Sequence, residues 1–514
     1  MSKIVMSFVL FALTTSSGFY LATAHPSTIN SPETLIHSAM EKMGGAERFR
    51  SLKRIQLEGI GHTYFLEQSE RPEGPWLVNY SQFTEIRDYP ENRLRRTTQD
   101  TNIISPKGSP ASVFVVADGA AAMQAGDRSF PASATQYAEA EEAMALSPER
   151  VLLTALDAKD LHNERDQSLQ GSAQHVIGFT WRDATVRIFV SVDTEMPTAV
   201  EYVRSYPGSV FWGVWGDVTT RIYFSLWMLE PGGLRYPCQL DVERNGTPYQ
   251  TFTVTALSLN PTLAADSFSI PSDVRKAYEI NSRRTIEDLP LGSPAKPAVE
   301  LAQGVVLIPG NWNVTLVRQP DGVVIIEAPI SSGYSDKVIA EANRRFPGAP
   351  IKAVISTSDA WPHIGGAREY AARSIPIYAL DLNKRILDRL IAAPHHSKPD
   401  ALERARKVKP RFQIVSAKTE IGSGPNRLEL YPIRSETGER MIMVYLPEHK
   451  LLYGSDLVQQ LPDGSYFMPE YLLELMESVA REKLTVAKVF GMHTGLKPWG
   501  EIESAVSKVK SSVP

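Results

Sequence analysis

Cysteine and histidine set the first limits on chemistry in this 514-residue chain. Cys238 is its single cysteine, which excludes an intrachain disulfide framework and any cysteine-based zinc cluster. His395 and His396 are adjacent. They follow Pro394 and precede Ser397-Lys398-Pro399-Asp400, a polar stretch that reads as an exposed loop able to swing over a pocket and lend a ligand. His62 falls in a strand pattern and reads as half-buried structure. Trp312, Trp361 and Trp499 read as loop residues. As the rim of one pocket they would favour an apolar or aromatic substrate; the alternative is ordinary packing.

The elements that would carry these residues fall into two halves. Ser31-Pro32-Glu33 opens a helix in which Leu35, Ile36, Ala39, Met40 and Met43 recur at helical spacing, and Gly44-Gly45 stops it. From Arg54 to Pro271 the chain alternates apolar and polar residues between turn signals such as Pro231-Gly232-Gly233 and Asn245-Gly246. A helix-like insert, 138–156, interrupts these strands. Many antiparallel strands in one run predict a curved sheet or open barrel. Pro290, Gly292, Pro294 and Pro297 mark 283–299 as a linker. Beyond it, strands such as 305–308, 314–317, 323–327 and 351–356 alternate with helical stretches such as 335–345 and 384–392.

Composition and the N-terminus bound the function classes. Hydrophobic residues make up 43% and charged residues 22%, which argues for a globular chain. The net charge of −4 offers no basic field for a nucleic-acid backbone. Lys3, the apolar run Ile4 to Leu21 and Ala22-Thr23-Ala24 read together as a cleavable secretory signal, 1–24, cut after Ala24. The uninterrupted apolar core is too short for a stable membrane span. An exported chain with one cysteine folds without disulfides, which suits a periplasm or secretion. The expected order is a signal at 1–24, a β-rich half-barrel-like domain at 25–282, the linker, and a second domain at 300–514.

The second half carries a resemblance. The hairpin strings Val305-Val306-Leu307-Ile308 and Asn313-Val314-Thr315-Leu316-Val317 lead to Asp321-Gly322 and Val323-Val324-Ile325-Ile326-Glu327-Ala328. Then come Val354-Ile355-Ser356-Thr357, Ser358-Asp359-Ala360-Trp361-Pro362-His363-Ile364-Gly365-Gly366, Tyr453-Gly454-Ser455-Asp456-Leu457 and Gly491-Met492-His493-Thr494-Gly495. This order resembles the metallo-β-lactamase fold, an αββα sandwich, so the whole chain is expected to be α+β. The family places T-H-x-H-x-D-H-x-G-G on the loop after the strand. Aligned on Thr357 and Gly365-Gly366, its metal positions are substituted by Ser358, Ala360 and Pro362, and the mid-domain histidine by Thr437. His363, Asp456 and His493 remain.

The resemblance therefore implies that one of two metal sites is lost and one is nearly kept. Two imidazoles and a carboxylate suffice for one divalent ion, zinc by default or iron(II), leaving open positions for water. Such an ion would lower the pKa of that water. The carboxylate that orients the attacking water in the family is gone, and Asp359, Glu436 or Glu439 would have to replace it as base. The other reading stays open: a relict scaffold with no metal, in which His363 caps a helix, Asp456 satisfies backbone amides and His493 bonds within its loop.

The first half resembles a second family. Gly44-Gly45, then Leu52-Lys53-Arg54-Ile55-Gln56-Leu57-Glu58-Gly59 opening a run of strands, and the closing Phe268-Ser269-Ile270-Pro271 are similar to the outer-membrane lipoprotein carrier type of domain. That resemblance implies an antiparallel half-barrel with an apolar cavity for acyl chains. Three functions follow: an exported hydrolase of esters, lactones or amides; a non-catalytic envelope protein that binds a lipid-like or other small ligand; or an assembly factor without one. Fold alone does not choose among them.

Overall fold

Ser31 caps the first helix, Pro32–Lys42, by accepting a hydrogen bond from the Thr34 amide, with Pro32 at the first helical position. Leu35, Ile36, Ala39 and Met40 form its buried stripe. The computed structural model describes residues 30–512, apart from 68–70, 103–109, 293–294, 406–407 and 462. The expected secretory signal at 1–24 lies outside the described residues.

The alternating strands of the first half form one sheet of fourteen strands. Its first and last strands, Arg54–Phe65 and Thr247–Leu259, lie side by side and antiparallel in the middle. Successive strands then extend outward on both sides as antiparallel neighbours. Ile55 and Leu57 alternate with the half-exposed or exposed Gln56 and Glu58. The inward set packs on Phe49, Leu152 and the first helix in one apolar cluster. The helix-like insert is two helices, Ala134–Ala145 and Val151–Leu156. They are separate because Ser147 and Pro148 interrupt the pattern. Among the described residues no helix is long and apolar enough to cross a membrane.

The second half is two sheets face to face. Strands from Val299–Ala302 to Phe412–Val415 build a sheet of seven, antiparallel at its start and parallel from Gly322–Ile326 onward. Strands from Thr419–Ile421 to Lys497–Pro498 build one of six. Val305, Leu307, Val324 and Ile326 of the first meet Leu430, Val444, Leu446 and Phe490 of the second. The helix Ser332–Arg345 and the short helix Ala367–Ala372 pack on the outer face of the seven-stranded sheet. Pro469–Arg481 and Trp499–Ser512 cover the other. Strands buried on both faces explain the continuous apolar runs in this half. The layers are helix, sheet, sheet, helix.

A shared apolar cluster joins the halves. Tyr206, Trp212, Trp215 and Val218 from the first contribute to it together with Ile330, Trp361 and Ile364 from the second. The segment expected as a linker is tied into the same cluster: Ile286 is buried there, and the Glu287 carboxylate accepts from the Gly333 amide. The His395-His396 stretch is an exposed loop, as expected, at Pro394 and from His396 to Pro399, but His395 is buried against the first half. The Asp217 amide donates to the Pro394 carbonyl at 2.7 Å, and the Asp217 carboxylate accepts from the His396 amide at 2.7 Å. Gly216, at φ +65°, permits this approach: a Cβ there would stand 2.3 Å from the Pro394 carbonyl oxygen.

Candidate functional site

Three strand ends of the sandwich converge on one place. The strand Ile351–Ser356 ends in the loop that carries Ser358, Asp359 and His363. Leu451–Tyr453 ends just before Asp456, and Lys488–Phe490 just before His493. His363, Asp456 and His493 each offer a ligand atom, and these atoms lie within 4.8 Å of one another. Nε2 of His493 stands 3.2 Å from Oδ1 of Asp456, and Nε2 of His363 stands 3.6 Å from Oδ2.

Backbone close packing fixes the three loops. The Asn313 side-chain amide donates to the carbonyls of Gly491 (2.9 Å) and Thr494 (3.3 Å), pinning the turn that holds His493. The Ile330 amide donates to the Pro362 carbonyl at 2.6 Å. Gly366 lets the end of the loop seat against the helix Ser332–Arg345, because a Cβ there would meet Ser335 Oγ at 2.0 Å. Glu327 bolts the two sheets together beneath the site. Its carboxyl group accepts from the Thr357 hydroxyl and from the Tyr453 hydroxyl at 3.0 Å, and Thr357 Oγ1 lies 2.7 Å from Ser455 Oγ. Burial raises its pKa to about 8 against those hydrogen bonds, so it carries a proton at neutral pH. Glu327, Ile330 and Ser455 all have left-handed backbone, with φ of +84°, +71° and +52°. For a β-branched isoleucine this is strained, and strain of this kind gathers at functional sites.

The electrostatics suit cation binding by this set. Burial lowers the His363 pKa to about 4, against the attraction of Asp456, so the imidazole is neutral with a free lone pair. Its Nδ1 is buried with no hydrogen-bond partner. Burial opposes the charge on Asp456, but His363 and His493 hold its pKa well below the carboxylate range. His493 is pulled down by burial and pushed up more strongly by Asp456 and the Asn311 carbonyl. Its Nδ1–H donates to that carbonyl at 2.8 Å, which leaves Nε2 facing Asp456 as the ligand nitrogen. Two imidazoles and a carboxylate, one ring oriented by a backbone carbonyl, fit one divalent cation.

The triad opens on a cleft of about 440 Å³. Ser358, Asp359, Ala360, Pro362 and Thr437, all singled out in the sequence, line it with the triad. Asp359 is 7% exposed, and its Oδ2 has no hydrogen-bond partner. Burial raises its pKa to about 7. Ser358 Oγ accepts from the Ala360 amide at 3.2 Å, and Thr437 Oγ1 donates to Glu474 at 2.8 Å. Glu436 is exposed and Glu439 pairs with Arg71, so neither is brought to the cleft. Trp312 lines it, whereas Trp499 packs in the cluster under the last helix. Trp361 does not form the rim. It is 6% exposed and packs edge-on against Trp212 and Trp215, because the first half supplies an aromatic bed on that side of the loop.

Several lining residues carry no local signal in the sequence. Glu67, Leu77 and Phe211 come from the first half, so both halves wall the cleft. Gln459 donates to Asp456 Oδ1 at 2.6 Å and lines it too. Its place three residues after Asp456 was the one available hint.

No family model matches the sequence, and no curated protein matches it. Among solved structures, the metallo-β-lactamase DIM-1 is similar at 14% identity, covering 42% of this chain and 97% of that one, with a TM-score of 0.33. FIM-1 from Pseudomonas aeruginosa, a metallo-β-lactamase solved in a mono-zinc form, is similar at 15% identity, covering 44% and 99%, with a TM-score of 0.34. A double mutant of the sec-alkyl sulfatase PisA1 is similar at 14% identity, covering 43% and 41%, with a TM-score of 0.32.

Proposed function

We propose that the chain is an exported hydrolase with a metallo-β-lactamase-like second half, acting on esters, lactones or amides through one divalent cation. The observation that carries this reading is the convergence of His363, Asp456 and His493, with ligand atoms within 4.8 Å, at the floor of a cleft. These three side chains would hold zinc, or iron(II), which the same donor set suits. Bound there, the ion would supply Lewis acidity and a water of lowered pKa. The residues around it do the rest. Gln459 and His493 orient the Asp456 carboxylate. Asp359, whose carboxylate lines the cleft, takes a proton from the attacking water and returns it to the leaving group. A carboxylate poised near neutral pH is matched to that task. Phe211, Trp312 and Tyr471 exclude bulk water from the apolar part of the substrate.

The first half we read as an open half-barrel that completes the cleft wall and holds an apolar ligand of its own. Its sheet and helices line a cavity of about 130 Å³ in which apolar residues such as Phe83, Leu146, Phe224 and Phe252 stand beside charged ones, Glu85, Arg87, Glu142 and Arg244 among them. Lys3, the apolar run after it and Ala22-Thr23-Ala24 support export. Cleavage after Ala24 is expected; the intact mass of protein expressed with its leader would show it, and an uncleaved chain would remove this part of the reading.

Elemental mass spectrometry on the purified protein is expected to find about one zinc or iron per chain, the capacity of one three-donor site. A His363→Ala/His493→Ala double mutant should carry none. Protein that stays metal-free after reconstitution with either ion would favour the alternative, a non-catalytic ligand-binding protein on a relict scaffold.

A further inference from the structure

The cleft that holds the three donors has an unusual lining. Four aromatic rings face it, Phe211, Trp312, Phe467 and Tyr471, and so do three carboxylates, Glu67, Asp359 and Asp456. Among the described residues that line it there is neither lysine nor arginine. Asp456 is committed to the two histidines. The other two acids have no such cation. Asp359 is 7% exposed, and its Oδ2 has no partner. Arg440, the guanidinium whose field reaches Asp359, is itself paired with Glu73 at 3.1 Å. Glu67 has no cation partner among the described residues, and burial is the main influence on it.

A carboxylate buried without a counter-charge is expensive, and a guest that supplies the charge recovers that cost. Ring faces attract an organic cation through their quadrupoles while also accepting its apolar surface. The same lining disfavours an anion, which would find no fixed positive side chain and two uncompensated acids.

We propose that this cleft selects a substrate bearing an organic cation, an alkylammonium group on an apolar body, with Glu67 and Asp359 as its counter-charges and the aromatic rings as its walls. The inference rests on the cleft being the substrate site. It makes Glu67, supplied by the other half of the chain, a specificity-determining residue.

The test is equilibrium binding by calorimetry to the intact chain, metal-free and zinc-loaded, without turnover. Three matched probes serve: phenylpropyl-trimethylammonium, its neutral analogue with carbon in place of nitrogen, and the phenylpropyl carboxylate. The cation should bind about tenfold more tightly than the neutral analogue, the effect expected of a desolvated cation–aromatic site with a nearby carboxylate. The carboxylate should bind most weakly to metal-free protein. Glu67→Gln should shrink the cation's advantage and leave the neutral analogue's affinity unchanged, which also controls for folding; Asp359→Asn is the second variant. Equal binding of cation and neutral analogue, tightest binding of the carboxylate to metal-free protein, no measurable binding of the cation, or an advantage untouched by both variants would each overturn the proposal. Cation selectivity without ester, lactone or amide hydrolysis would sink the hydrolase reading and leave this one standing.

Discussion

Asp456→Asn is expected to lower zinc affinity more than about a hundredfold, because loss of a direct ligand should exceed the 10–100-fold effect typical of outer hydrogen-bond partners. The argument is one of charge as well as of ligand count. Asp456 is the only one of the three donors that is anionic, and its side chain is the one that both imidazoles face, at 3.2 and 3.6 Å. An asparagine keeps the shape and removes the charge that compensates a divalent ion. Gln459→Ala sets the scale from outside. Its amide donates to Asp456 Oδ1 at 2.6 Å, which makes it an outer hydrogen-bond partner of the donor, so its loss should cost about 10–100-fold. Competition with a chromophoric chelator at fixed pH would rank the two variants. If Gln459→Ala weakened binding as much as Asp456→Asn, or if neither changed it, the ion would not sit on this carboxylate. Far-ultraviolet circular dichroism guards against a fold defect, since Asp456 is half-buried and lies on a short turn after its strand.

The sequence made the second half legible because its strands are buried on both faces. Val323-Val324-Ile325-Ile326 has no polar break to confuse it with an exposed strand, and Asp321-Gly322 marks where it begins. The first half was readable by alternation, as in Ile55, Leu57 and their polar neighbours. The triad was legible through the resemblance: Thr357 and Gly365-Gly366 fix the register that leaves His363, and Asp456 and His493 each follow a short strand by three residues. What the sequence hid depends on distant packing. Trp361 looks like a pocket-facing residue when only its own loop is in view, and its burial is decided by Trp212 and Trp215 in the other half. His395 has polar neighbours, yet Gly216 leaves room for it against the first half. Glu67 lies at the end of a strand in an unremarkable stretch, nearly three hundred residues from His363, and no local periodicity links the two. Glu327 stands out only in retrospect, as the acid that ends an apolar strand.

Trp361→Ala is expected to remove about 3–5 kcal/mol of stability, the cost of deleting a buried large aromatic side chain. The indole is 6% exposed, and its ring centroid stands 5.0 Å from those of both Trp212 and Trp215 in edge-to-face contacts. Those two rings are themselves held by guanidinium groups, Arg244 at 4.8 Å over Trp212 and Arg389 at 5.4 Å over Trp215. The contact joins residues from the first half to a loop of the second, so a cavity there loosens the attachment of one half to the other. Denaturant unfolding followed by tryptophan fluorescence and by circular dichroism should then separate into two transitions where the parent shows closer coincidence. The cleft should respond as well, since Glu67, Leu77 and Phe211 reach it from the first half. Binding of the ammonium probe should fall, and zinc affinity should fall less, because His363 shares the short helix Trp361–Ile364 whereas Asp456 and His493 stand on loops fixed within the second half. Trp361→Phe, which keeps an aromatic edge in the same bed, should lose less on every readout. Unchanged stability in Trp361→Ala would mean that the aromatic cluster is not what holds the halves together. Lost zinc with intact probe binding would reverse the assignment of the two walls.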